Sequence, residues 1–168
     1  MKMILIGGLI GFIIIIISFK SIKNKIAKKD MFCNIEITFN EKTANAKAII
    51  DTGNFLKEPL TGNPVVIVEK QVLEECISAE ILQNVQDIIN GKIKVSDKYI
   101  SKIRLIPFSA LGTENGLILG IKPDNFVIKY QGKSMQNKNV IIGIYEKNLS
   151  RNNKYNALVG LDIINKLD

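Results

Sequence analysis

Apolar and polar side chains alternate along Cys33, Asn34, Ile35, Glu36, Ile37, Thr38 and Phe39, the two-residue period of a strand with one buried face. Residues 40–43 read as a turn and residues 44–50 as a returning strand, so a hairpin is expected. Pro59 and Gly62 punctuate a loop over residues 54–63. Residues 64–68 (Pro-Val-Val-Ile-Val) are β-branched enough to predict a buried strand. From 69 to 90, Leu73, Ile77, Ile81, Val85 and Ile88 recur at helical spacing, and Gly91 follows. One helix is predicted there, its stripe packing on the core rather than forming a partner groove. Strands are predicted over 99–108, 116–121, 126–130 and 140–145, with turns at 112–116 and 123–125. The last patterned stretch, residues 155–164, reads as strand, turn and helix. The expected fold is mainly β with one inserted helix.

Ahead of this pattern, residues 3–19 form an uncharged, Ile-rich run at the short end of what spans a bilayer. Lys2 and Lys20 flank it and can snorkel to extend its reach. A signal peptide is the rival reading, but a Lys-rich stretch follows instead of a small-residue cleavage site, which favours an anchor. Five lysines lie on its C-terminal side and one on its N-terminal side, so the bulk of the chain is expected on the cytoplasmic face of the cell membrane. The same lysines would hold the connecting segment against anionic lipid. Gly7 and Gly11 are spaced for close packing of membrane helices, although glycine is common in such helices. The start at Met1 is abrupt, and the anchor could be the last of several spans in a longer parent. The expected organisation is a transmembrane anchor (1–20), a basic juxtamembrane linker (21–31) and a folded domain (32–168).

Charge changes the picture only locally. The formal net charge is +7, yet six lysines and no acid precede Asp30, and the remainder carries 17 bases against 16 acids. The lysines have no interleaved aromatics, which argues against a nucleic-acid partner. Cys33 and Cys76 are far apart and form no CxxC pair, so neither a metal nor a redox motif is present and a reduced environment is the simplest reading. The chain has no histidine. Ser-His and Cys-His triads are excluded, and chemistry must rest on carboxylates, lysines or hydroxyls. No cofactor or metal is expected.

The second predicted strand runs through Ala48, Ile49 and Ile50 into Asp51-Thr52-Gly53-Asn54. A buried strand ending in Asp-Thr-Gly resembles the catalytic loop of aspartic proteases. Asp51 would be the catalytic carboxylate, Gly53 would let the backbone turn without a Cβ, Thr52 would brace a partner loop, and Asn54 would border the loop. Alone, the tripeptide is more often ordinary turn chemistry. Its context is Leu158-Val159-Gly160-Leu161-Asp162-Ile163-Ile164, similar to the second hallmark of retropepsin-like proteases, where a strand passes beneath the active-site loop into a short helix. Asp-Thr-Gly occurs once, so the second carboxylate must come from another copy, and a homodimer is expected. A flap should cover the peptide; residues 91–101 and 109–116 are both candidates.

Three blocks carry a closer resemblance. They are Ile50–Asn54 with Leu56, Pro59, Thr61-Gly62 and Pro64-Val65; Arg104-Leu105-Ile106-Pro107-Phe108 with Gly112, Gly116 and Lys122-Pro123-Asp124; and Gly143, Leu149 and Tyr155-Asn156-Ala157-Leu158. In these the chain resembles the C-terminal part of the sigma-E factor processing peptidases of endospore-forming bacteria. The resemblance implies a retropepsin-like acid-protease half-barrel behind a single N-terminal transmembrane helix. It implies an aspartic endopeptidase that removes a pro-segment from a membrane-associated pro-sigma factor during sporulation, triggered by a secreted signal protein across the membrane. The alternative is a non-catalytic, membrane-anchored β-domain that binds a peptide or partner protein and would tolerate Asp51→Asn.

Overall fold

Alternating side chains in the first hairpin produce β1 (Phe32–Phe39) and β2 (Lys42–Asp51), paired antiparallel from Phe32↔Ile49 to Phe39↔Lys42. Asn40 and Glu41 both take positive φ at the two-residue turn, the geometry that matches the twist of the flanking strands. The Asp124 carboxylate holds that turn by accepting from Asn40 N at 2.8 Å, and it binds Lys102 Nζ at 2.6 Å. The remaining strands are β3 (Val65–Glu69), β4 (Ile103–Ala110), β5 (Thr113–Ile121), β6 (Asn125–Tyr130), β7 (Lys133–Gln136), β8 (Ile141–Tyr145) and β9 (Ala157–Gly160). This computed structural model describes Phe12, Ile14, Ile15, residues 31–110 and residues 113–165.

Among the described residues the strands make one open sheet of nine, ordered β4-β5-β8-β3-β9-β2-β1-β6-β7. β2 and β3 are neighbours in sequence but not in the sheet, because β9 lies between them. β9 runs parallel to β2 and antiparallel to β3. Most of the core lies on one face, where Ile35, Ile37, Ala48, Ile50, Val66, Val68, Ile142 and Val159 are buried. The opposite face carries a smaller cluster of Val65, Ile67, Ile106 and Ile141, with Leu56, Ile118 and Leu158 packed against it. β3 feeds both faces, which is why its five residues are all buried and its sequence does not alternate.

The single helix expected over residues 69–90 is instead three short ones, Lys70–Leu73, Ala79–Gln83 and Val85–Ile89. Ser78 and Asn84 break it. Ser78 is extended (φ −65, ψ 144), and Asn84 sits at φ −115, ψ 23. The Asn84 side chain donates to the Glu80 carbonyl at 2.8 Å, taking the acceptor that its own amide would use in a continuous helix. The breaks let Cys76 and Leu82 be buried together with Leu73, Ile77, Ile81 and Val85, a wider face than one straight stripe covers. A fourth helix, Asp97–Ile100, replaces the expected start of the strand over 99–108, and β4 begins at Ile103. β7 had no expectation, since Lys133-Ser134-Met135-Gln136 is a polar edge strand with one half-buried side chain.

The chain divides into two compact units, Met1–Met31 and Phe32–Asp168. In the first, Phe12, Ile14 and Ile15 are helical and exposed. The rest of the expected anchor, and the linker up to residue 30, lie outside the described residues, among which no helix is long and apolar enough to cross a membrane.

Candidate active site

Asp51 closes β2 and is half-buried, on the sheet face opposite the main core. The chain turns immediately: Asn54 N donates to Asp51 O at 3.2 Å, and Gly53 N donates to Asp51 Oδ1 at 2.9 Å. The carboxylate is therefore aimed by its own loop, an Asx turn. Gly53 is favoured by proximity rather than by a left-handed backbone, since a Cβ there would stand 3.3 Å from Asp51 Oδ1 and press on the carboxylate. Thr52 lies exposed at the crest of the turn.

Asn54 anchors the loop. Its Nδ2 donates to Val65 O at 3.1 Å, and its Oδ1 accepts from Leu56 N at 3.2 Å. Val65 N in turn donates to Leu56 O at 3.0 Å. From the other side comes β9, whose Gly160 pairs with Asp51. A Cβ on Gly160 would meet Asn54 O at 2.6 Å. The second motif thus lies against the first, and the short helix Leu161–Ile164 follows directly. Lys57 Nζ reaches Asp162 Oδ2 at 3.1 Å, joining the loop to that helix by a half-exposed ion pair that contributes little stability.

Sequence reasoning passed over Glu58. It is buried, its Oε1 accepts from Leu60 N at 3.1 Å, and its Oε2 accepts from Thr61 N at 2.8 Å and from the Thr61 hydroxyl. Arg104 Nε stands 3.9 Å from Oε1. The Thr61 hydroxyl first, then the two amides and the Arg104 charge, lower the Glu58 pKa against the opposing effect of desolvation. Gly62, at φ +70, lets the chain fold back around this carboxylate. Glu58-Pro-Leu-Thr-Gly reads as a plain turn; the available signal was an acid three residues ahead of a threonine, which is too common to single out.

β4 and β5 form a hairpin beside the site. Phe108 lies over Gly116, where a Cβ would come within 2.3 Å of the ring. Phe108 and Ser109 join Asp51, Gly53, Leu56, Ile67 and Leu158 around a hollow of about 420 Å3. Of the two flap candidates, residues 109–116 contribute to this hollow through Ser109, and residues 91–101 do not. Leu111 and Gly112, at the tip, lie outside the described residues. The hollow is mostly apolar, with the Asp51 carboxylate at its edge, a lining that suits a small apolar group such as a peptide side chain. Among the described residues no three Cys, Asp or Glu side chains converge as metal ligands.

The sequence pattern of the family described as sporulation factor SpoIIGA matches residues 1–163. The chain is 33% identical over 133 residues to the sporulation sigma-E factor-processing peptidase of Priestia megaterium, covering 77% of this chain and 43% of that protein. It is 28% identical over 130 residues to the protein of the same name in Bacillus subtilis, covering 75% and 42%. The chain therefore spans about two fifths of the length of these relatives. No solved structure matches it.

Proposed function

The chain belongs to the sporulation factor SpoIIGA family, and from that premise we propose that it is a membrane-tethered, homodimeric aspartic endopeptidase that processes a pro-sigma factor. The observation that carries the reading is the contact between the two motifs: the Asp51 loop is pinned from one side by Gly160 of β9 and from the other by β3. That placement of β9 between β2 and β3 is what a retropepsin-like half-site needs. The relatives bear the name of sigma-E factor-processing peptidases, and a pro-sigma substrate is carried over from that name.

Each copy supplies one Asp51 across a two-fold axis. Two carboxyls a few ångströms apart do not both ionise, so the pair shares one proton. The ionised member takes a proton from water as its oxygen attacks the scissile carbonyl carbon. The protonated member donates to the carbonyl oxygen. The tetrahedral intermediate then collapses: one of its hydroxyls returns a proton to the carboxylate that had donated, the carboxyl that took water's proton gives it to the nitrogen, and the C–N bond breaks to release the amine. The β4–β5 hairpin, with Phe108 and Ser109 over the hollow, serves as the flap. Residues 3–19 hold the domain on the cytoplasmic face of the cell membrane, and a secreted signal protein acting from the far side works by bringing or turning two copies together.

The test is co-expression with a candidate pro-sigma factor. Wild type should convert it to a shorter form, and Asp51→Ala should leave it uncut while still fractionating with membranes. Cleavage by Asp51→Ala would remove Asp51 from the chemistry. A binding module of the same fold would produce no size shift with either protein.

A further inference from the structure

A second hollow, also of about 420 Å3, opens where β1, β2 and β6 meet. Phe32, Lys47, Lys129, Tyr130, Gly132 and Lys133 are among its lining residues, which include three lysines and no carboxylate. Lys47 Nζ sits 4.8 Å from the centre of the Phe32 ring, and Lys129 pairs with Glu36 just outside the hollow. Gly132, at φ +80 in the β6–β7 turn, has open space where a side chain would stand, so the rim is unobstructed there. The hollow is thus lined by three lysines, one of them ion-paired to Glu36, and by the Phe32 and Tyr130 rings, and it is large enough for a phosphate-bearing headgroup.

Two further observations bear on its occupant. Phe32 is both a wall of the recess and the first residue of β1. Upstream in the sequence lie five lysines, from Lys20 to Lys29, and the apolar run of residues 3–19. The twelve residue-to-residue steps from Lys20 to Phe32 reach at most about 40 Å when fully extended. If residues 3–19 sit in a bilayer, the recess is never farther than that from its surface, and anionic lipid attracts each nearby lysine.

We propose that this recess binds the phosphate headgroup of an anionic phospholipid and so sets how the domain stands on the membrane. The inference rests on the membrane-anchor reading of residues 3–19 and not on the proteolytic one. Its consequence for the site is geometric. Lys47 and Asp51 lie on the same face of β2, four residues apart, or about 13 Å along the strand. A headgroup held at Lys47 orients the Asp51 loops of neighbouring copies relative to the same surface.

The experiment uses the full chain in nanodiscs of phosphatidylcholine, alone or mixed with phosphatidylserine, and reads amide hydrogen exchange over residues 129–134. With severalfold affinity expected per lysine near an anionic surface, exchange should slow by about tenfold in the anionic discs. Lys47→Gln combined with Lys133→Gln should abolish the slowing while leaving the lysines at 20–29 in place, and the matching pair of Arg substitutions should restore it. Equal exchange in the two discs, or slowing that survives the Gln pair, overturns the proposal. Inorganic phosphate added to neutral discs is a third arm, and full protection there assigns the recess to a free anion and overturns the lipid source. Retention of the chain in washed membranes is scored separately, so a failed anchor and a failed headgroup site give different results.

Discussion

Gly160 meets the backbone of Asn54 with no room for a side chain, since a Cβ on Gly160 would stand 2.6 Å from the Asn54 carbonyl oxygen. That oxygen cannot swing aside like a side-chain tip. It belongs to the loop that presents Asp51, and Asn54 is further tied to Val65 and Leu56. Gly160→Ala must therefore displace either β9 or the loop. A stability loss of roughly 1–3 kcal/mol is expected from such overpacking, together with loss of pro-sigma cleavage. Denaturant midpoints and the size-shift assay check the two effects, and an Ala variant that cleaves normally would show that the contact does not position the site.

Gly116→Ala looks similar and should behave differently. Its obstacle is the Phe108 ring at 2.3 Å, a half-buried side chain rather than backbone. The ring can rotate, so stability should hardly change. The hollow beside Asp51 loses its aromatic wall, and KM for a peptide substrate should rise severalfold with a smaller change in kcat. An unchanged KM would detach Phe108 from the substrate.

The one-Asp-per-copy reading makes a quantitative prediction for mixed dimers. When equal amounts of wild type and Asp51→Asn are mixed and pair at random, activity should fall to roughly a quarter of that of an all-wild-type sample of the same total concentration. A catalyst complete in one chain would retain half.

Glu58 predicts a pH effect on stability. Its pKa is lowered in the folded chain, chiefly by the Thr61 hydroxyl. The folded state therefore binds this proton less readily than the unfolded state. The stabilisation is fully present above the ordinary glutamate range and disappears as pH falls below it, through the lowered value. Thermal unfolding followed from neutral to acidic pH should show wild type losing stability in that window, and Glu58→Gln losing less of it while starting lower. Parallel curves would mean that the Glu58 charge is not what holds the 58–62 turn.

Burial pushes the thiol of Cys33 up to about 12 and that of Cys76 to about 11, the latter with help from the Glu75 charge. Both are buried and free. Neither should react with a thiol-alkylating reagent near neutral pH until the chain unfolds. Mass spectrometry of native and denatured samples separates these states.

Local chemistry was enough to locate Asp51 at the end of a strand. Alternation from Cys33 to Phe39, the buried run of β3 and the Asp-Thr-Gly turn each depend on residues within a few positions of one another. The break at Asn84 was harder to see, because a polar side chain competing for the Glu80 carbonyl wins only when the buried face is wider than one helical stripe. Glu58 stayed hidden because its local partners, Leu60 and Thr61, read as a plain turn, and the Arg104 charge beside it is supplied from β4. Whether residues 91–101 or 109–116 lie beside Asp51 also had no local answer, since it depends on where the strands that flank them pair.

Pairing across the sheet brings Ser109, and no residue of 91–101, to the hollow beside Asp51. β9 enters between β2 and β3 more than a hundred residues after β2, and its register places Gly160 on Asp51. Spacing in the sequence fixes neither the neighbour nor the register, because both depend on which strands together bury Val66, Val68 and Val159 on one face and Ile67 and Leu158 on the other. The carboxylate and its turn are written in seven consecutive residues, whereas the wall that holds them still exists only once the distant strand has packed.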